Sequence, residues 1–160
     1  MTTLRHLALL GLLLGIVGCS REGDPHGTCD LVGGPATDRA TFGGIEYQVV
    51  GGFSGHGDGT ALHIQPDGTI TVQTPQRGTG QGQLDPATLA SLVGTARSAQ
   101  FPTLCAIYRC SGCTDDFVDQ VSVQFDGSAL TVLASQEGDP PDRLQAMIDA
   151  LRQVAQHPPQ

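Results

Sequence analysis

The stretch FVDQVSVQFDGSALTVLAS, residues 117–135, decides the fold class. Phe117, Val121, Val123 and Phe125 alternate with other residues, and Asp119 is the one charge on their side. Alternation puts successive side chains on opposite faces, so this run reads as a half-buried strand. Asp126-Gly127 comes next, and Asp-Gly between alternating runs is a strong hairpin signal. Ser128 to Ser135 then returns with Leu130 and Val132 on one face. A hairpin closed by so short a turn is antiparallel.

Working upstream, Thr60 to Gln65 and Thr69 to Thr74 flank Pro66-Asp67-Gly68, a second hairpin signal. Leu62 and Ile64 share one face, as do Ile70 and Val72 on the partner run. Before it, Ile45, Tyr47 and Val49 alternate with Glu46, Gln48 and Val50, as in a half-buried strand. Residues 51–59 (GGFSGHGDG) form a glycine-rich loop, and Arg77 to Gln83 reads as another polar, glycine-bearing loop. Between the hairpins Asp85 is placed to cap a helix and Pro86 suits its first position. Leu89, Leu92, Val93 and Ala96 supply the apolar face, and the helix fades near Gln100. A last helix follows Asp139-Pro140-Pro141, with Leu144, Met147, Ile148, Leu151 and Val154 at helical spacing. The expectation is α+β: an antiparallel sheet of about five strands in two hairpins, packed on two amphipathic helices, in the order β-β-β-α-β-β-α. Residues 44–156 hold this domain, and 157–160 read as a frayed tail.

The chain has 160 residues and a net charge of −8, a length suited to one domain with appendages. Leu, Ile, Val and Phe total 39, and nine of these lie in the first 18 residues. The remaining 30 in 142 are about 21%, near the level at which a chain stops burying enough to fold. They are uneven: 27 fall within 44–155, so a modest core is concentrated there. There is no lysine, and the eight positive charges are all arginine. Phosphate contacts need a basic face, so nucleic acid is disfavoured as a partner.

Residues 1–18 read as a secretory signal: Arg5 in a short n-region, then an apolar run from Leu7 to Val17. That run is too short to span a bilayer, which takes roughly 20 residues. It ends in Ile16-Val17-Gly18-Cys19-Ser20, which resembles the lipobox of bacterial lipoproteins. The resemblance implies a diacylglyceryl thioether on Cys19, cleavage after Gly18 and acylation of the new amino terminus. Two or more acyl chains hold a protein stably on a membrane. Residues 19–43 show neither helical nor strand periodicity and read as a flexible Gly/Pro-rich tether, except where Cys29 pins it down. The implied location is the bacterial cell envelope. Ser20 in place of aspartate favours the periplasmic side of the outer membrane in a Gram-negative cell.

Four cysteines remain: Cys29, Cys105, Cys110 and Cys113. Export into an oxidising compartment and an even count suggest disulfides, with three complete pairings open. Each pairing puts one bridge inside 105–113 and ties Cys29 to the cysteine left over. Two other readings compete. Cys110-Ser111-Gly112-Cys113 matches the CxxC of thiol oxidoreductases, and Arg109 offers one positive charge to a thiolate. Against this, Asp115, Asp116 and Asp119 follow, and the next segment is a strand. A zinc site of four thiolates needs paired CxxC motifs, which these spacings do not make.

Other constellations are weaker. His56, Asp58 and His63 include metal-ligand types, but read as loop and surface residues. Asp115, Asp116 and Asp119 lack a calcium-loop pattern and read as a solvated acidic edge. No nucleophile elbow, metalloprotease helix or phosphate loop occurs, so neither enzyme activity nor a cofactor is expected.

From about 47 to 155 the chain resembles the emfourin-like family of small bacterial proteins. The shared features are Gly51-Gly52-Phe53 with Gly55, the hairpin through Asp67-Gly68, and Gly82 and Leu84 opening a helix. Phe101 follows, then Asp116-Phe117 leading into Val121 and Val123, and a closing helix with Leu144, Ile148 and Leu151. The founding type of that family inhibits thermolysin-like metalloproteases, so the resemblance implies a non-enzymatic binder on a sheet-and-helix scaffold. The cysteine cluster, lipid signal and tether depart from the family pattern. The expected function is a lipid-anchored, non-catalytic envelope protein with a disulfide-stabilised domain that binds a protein, a protease among the candidates. Loops 51–59 and 105–116 are the expected contact surfaces, through Phe53, His56, Asp58, Tyr108 and Arg109. The alternative is a membrane-tethered thiol oxidoreductase using Cys110 and Cys113.

Overall fold

The computed structural model describes residues 29–52 and 57–159. The signal segment, Cys19, Phe53 and His56 lie outside them. The strands are β1 (Phe42–Gly51), β2 (Ala61–Ile64), β3 (Thr69–Thr74), β4 (Gly78–Gln83), β5 (Ile107–Tyr108), β6 (Phe117–Phe125) and β7 (Ser128–Ser135). Helix α1 (Pro86–Ser98) stands between β4 and β5, and α2 (Asp142–Gln156) closes the chain. A short 3-10 helix, Phe101–Thr103, follows α1.

The class is α+β, with all strands in one sheet ordered β4-β3-β2-β1-β6-β7-β5. The expected five strands become seven, and the sheet is mixed rather than wholly antiparallel. Strand β1 lies at the centre, antiparallel to β2 on one side and to β6 on the other. The first added strand, β4, comes from the segment read as a polar loop. Its Gly78, Gly80 and Gly82 pair opposite Thr74, Val72 and Ile70, where side chains would carry an inward apolar signal. With glycine at those positions no periodicity survives in the sequence. The second, β5, is two residues long and runs parallel to β7, a pairing set by distant contacts.

The turns explain the two hairpins. Asp126 and Gly127 both take positive φ, 48° and 76°, as the tight turn that matches strand twist requires. In the other hairpin Pro66 and Asp67 make the bend, and the Gln65 N–H donates to the Thr69 carbonyl at 2.9 Å to close it.

One face of the sheet is sealed by the helices. Ile45, Tyr47, Ile64, Ile70, Val123 and Phe125 point into a core shared with Leu92, Ala96, Leu144, Met147, Ile148 and Leu151. Each large apolar side chain so buried stabilises the fold by roughly 1.5–3 kcal/mol. Helix α1 starts where the sequence predicts: the Asp85 carboxylate accepts from the Ala87 and Thr88 N–H groups, both at 3.0 Å. These bonds, with one from the Thr88 hydroxyl, hold Asp85 below its ordinary carboxylate pKa, the Thr88 side chain contributing most.

The ends of the described chain also rest on the domain. The Val32 N–H donates to the Leu104 carbonyl at 2.9 Å, and Leu31 bridges Cys105. Thr37 and Ala40 are buried, and the Arg97 guanidinium donates to the Ala40 carbonyl at 3.1 Å. At the other end, the Arg77 guanidinium holds the Gln156 carbonyl at 3.2 Å.

Candidate functional site

The two loops expected to carry function meet at one end of the sheet. Gly51 pairs with Phe117 across β1 and β6, and the Gly52 N–H donates to the Asp116 carbonyl at 3.0 Å. The loop after β1 therefore leaves the sheet beside the point where the cysteine loop enters it. Residue Gly57 closes the glycine loop, its N–H donating to the Gly51 carbonyl at 2.7 Å. It has a φ of 69°, and a Cβ there would run into the Val49 carbonyl, so glycine is required on both counts. The exposed Asp58 carboxylate accepts from the Thr60 N–H at 2.8 Å and shapes the return to β2.

A third segment joins them. The turn after β7 carries Gln136 and Glu137, and its Gln136 N–H donates to the Phe117 carbonyl at 2.8 Å. The Ser135 hydroxyl donates to the Asp116 carboxylate, tying that turn to the cysteine loop. Phe117 sits in the middle of the cluster and is 37% exposed, a large apolar group left in water.

The structure selects one of the three cysteine pairings. Cys29 bridges Cys105 with Cα atoms 5.4 Å apart, and Cys110 bridges Cys113 at 5.6 Å. Both separations suit a disulfide. The first bridge fastens residue 29 to the chain just before β5, and the second closes a turn at the loop cluster. The Glu137 carboxylate lies 3.1 Å from the Cys113 sulfur. A bridged sulfur carries no proton, so this is a contact without a hydrogen bond.

Beneath the cluster lies a buried charge network. Asp119 is 1% exposed and sits on the inner face of β6, so it is not part of the solvated acidic edge expected with Asp115 and Asp116. Arg152 of α2 grips it with two nitrogens, Nε to Oδ1 at 3.3 Å and Nη2 to Oδ2 at 2.5 Å. The Tyr47 hydroxyl donates to Oδ1 at 2.7 Å, and the Gln136 amide reaches the same oxygen at 3.5 Å. Burial, with the Asp119 carboxylate adding to it, pushes the Tyr47 hydroxyl well above its ordinary pKa. The network locks α2 to the end of the sheet that holds the loops, since Asp119 is two residues from Phe117.

The remaining expected residues have different settings. Tyr108 is buried, its hydroxyl accepting from the Cys105 N–H at 3.0 Å, so it supports the cysteine loop from below. Arg109 is exposed beside the Cys110–Cys113 turn. Residue His63 is on the open face of the sheet, opposite Glu46 on β1. That face is polar, and the small Ala61 between Gln48 and Gln73 leaves a shallow depression of about 220 Å³. A groove between α1 and α2 measures about 350 Å³. Ligand pockets usually run from about 300 to 1,000 Å³, so both are at or below the small end. Among the described residues no helix is long and apolar enough to cross a membrane.

Fold and site together define a small α+β domain with one face sealed by helices and a three-segment loop cluster at one end. Compared with family models, curated proteins and solved structures, the chain matches none.

Proposed function

We propose that this chain is a lipid-anchored, non-catalytic protein of the bacterial cell envelope, attached through Cys19, whose domain binds a protein partner. The contact surface is the loop cluster formed by residues 51–52, 57–59, 109–117 and 135–138. The observation that carries this is the meeting of loops more than fifty residues apart in sequence, with Phe117 exposed between them. An apolar group ringed by polar loops is a common form of protein contact site. The emfourin-like resemblance makes a thermolysin-like metalloprotease the first partner to try.

The competing reading is a membrane-tethered thiol oxidoreductase using Cys110 and Cys113, and the surface position of that bridge favours it. However, the CxxC lies in a turn with no helix N-terminus to stabilise a thiolate, and Asp116 and Glu137 are close by.

Two experiments test the proposal. Cys19→Ala shifts the protein out of the membrane fraction, and a variant that survives an alkaline wash of the membranes contradicts the anchor. In affinity capture from the native envelope, Arg109→Glu and Phe117→Ser lose the partner that the natural chain retains, while Ser128→Arg at the far hairpin keeps it. Equal capture by all three variants overturns the assignment of the surface.

A further inference from the structure

We infer that Cys110, Cys113 and Glu137 form a site for a thiophilic divalent cation, of which Zn²⁺ is the type, when the Cys110–Cys113 bridge is reduced. Among the described residues these three place their donor atoms within 4.8 Å of one another. Around a tetrahedral zinc ion with bonds of about 2.0–2.3 Å, neighbouring donors sit roughly 3.3–3.8 Å apart. In the bridged form the two sulfurs are bonded to each other and must part on reduction, while the Glu137 carboxylate already lies 3.1 Å from the Cys113 sulfur, close to that spacing.

Chemistry and topology agree on this cluster. A CxxC turn supplies two thiolates from one short loop, the spacing that metal-binding knuckles use. The two Cα atoms are 5.6 Å apart, so rotation of the cysteine side chains alone can part the sulfurs to ligand distance. Glu137 comes from a separate segment, after β7, and that segment is fixed to the cysteine loop by the Ser135–Asp116 hydrogen bond. In the bridged form its carboxylate faces a sulfur that has no proton to offer, 3.1 Å away. In the reduced form the same carboxylate is a third donor. Three protein donors leave the fourth position to water, the pattern of an open site.

The redox step balances. A dithiol donor gives two electrons and two protons to the Cys110–Cys113 bond, which breaks to two thiols, and the donor leaves as its own disulfide. The cation then displaces two protons from the thiols and binds both sulfurs. A disulfide oxidant reverses this: it takes two electrons from the two thiolates, which rejoin as the Cys110–Cys113 bond, leaves as two thiols after taking up two protons, and the cation is released, so occupancy follows the state of the bridge. Among the described residues the Cys29–Cys105 bridge has no such companion group: Cys105 is buried and the pair lies in the seam between the N-terminal segment and β5.

Cobalt titration of the full chain reads the site directly. The reduced protein, under anaerobic conditions, takes up one equivalent of Co²⁺ with intense near-ultraviolet sulfur-to-cobalt absorption, and Zn²⁺ bleaches it. The oxidised protein gives no such band, a comparison that needs no variant. Glu137→Gln weakens the affinity at least tenfold, and Cys110→Ser with Cys113→Ser abolishes the band. Bound Zn²⁺ also protects Cys110 and Cys113, but not Cys29 and Cys105, from alkylation. Absence of the band in reduced protein overturns the proposal. So does a band that survives loss of Cys110 and Cys113, or an affinity within twofold after Glu137→Gln.

Discussion

Asp119 shows how one residue can be visible in sequence and still be misread. It stands on the apolar side of an alternating strand, which marks it as an exception, and two nearby aspartates make it look like part of a wet edge. What changes its meaning is Arg152, 33 residues further on, whose place on α2 cannot be read from β6. Removing one member of a buried pair leaves an uncompensated charge. Arg152 is about a third exposed, which softens the effect, so Arg152→Ala should cost about 2–4 kcal/mol in urea unfolding. The Tyr47 hydroxyl adds a pH signature. Its folded pKa is raised above the ordinary value of 10.0, chiefly by burial. Its contribution is therefore complete below pH 10 and is lost as pH rises towards the folded value. Unfolding midpoints should fall as the pH rises from about 10 to about 11, and Tyr47→Phe should flatten that slope while costing about 1 kcal/mol at neutral pH. Gly57→Ala meets both an unfavourable φ and the Val49 carbonyl, so it should destabilise by about 1–3 kcal/mol, read as a lowered thermal midpoint.

At the level of elements, legibility followed side-chain pattern. The hairpins of β2–β3 and β6–β7 and the cap of α1 were readable because alternation, Asp-Gly turns and an Asp-Pro start are local signals. Strand β4 was not, since glycines occupy its inward positions and β3 alone defines it through pairing. Strand β5 is too short for any periodicity. The bridges divide in the same way: the sequence limits the pairings to three, and only folding brings Cys29 beside Cys105. That bridge closes a separation of 76 residues, the other a separation of three. Chain entropy makes the long closure worth about 4 kcal/mol and the short one about 2 kcal/mol. Cys29→Ser with Cys105→Ser should therefore lower the denaturation midpoint markedly more than Cys110→Ser with Cys113→Ser. Equal losses would show that the long bridge is not the main staple of this modest core.

Across the whole molecule, the sequence indicated which loops to watch but not that they adjoin. Their meeting follows from β1 pairing with β6, a contact between residues about seventy positions apart. Glu137 joins the cluster for the same reason, through β7, and nothing near it in sequence marks it. The helices seal one face of the sheet, and the loop end is the surface proposed for a partner. Photo-crosslinking in the native envelope tests that most directly, with a crosslinking residue at Asp58, at Arg109 or at Ser128. The first two positions belong to different loops of one cluster, and the third lies at the opposite end of β6 and β7. Adducts of the same mass are expected from Asp58 and Arg109, and none from Ser128. Adducts from Ser128 alone, or unrelated adducts from Asp58 and Arg109, would contradict that surface.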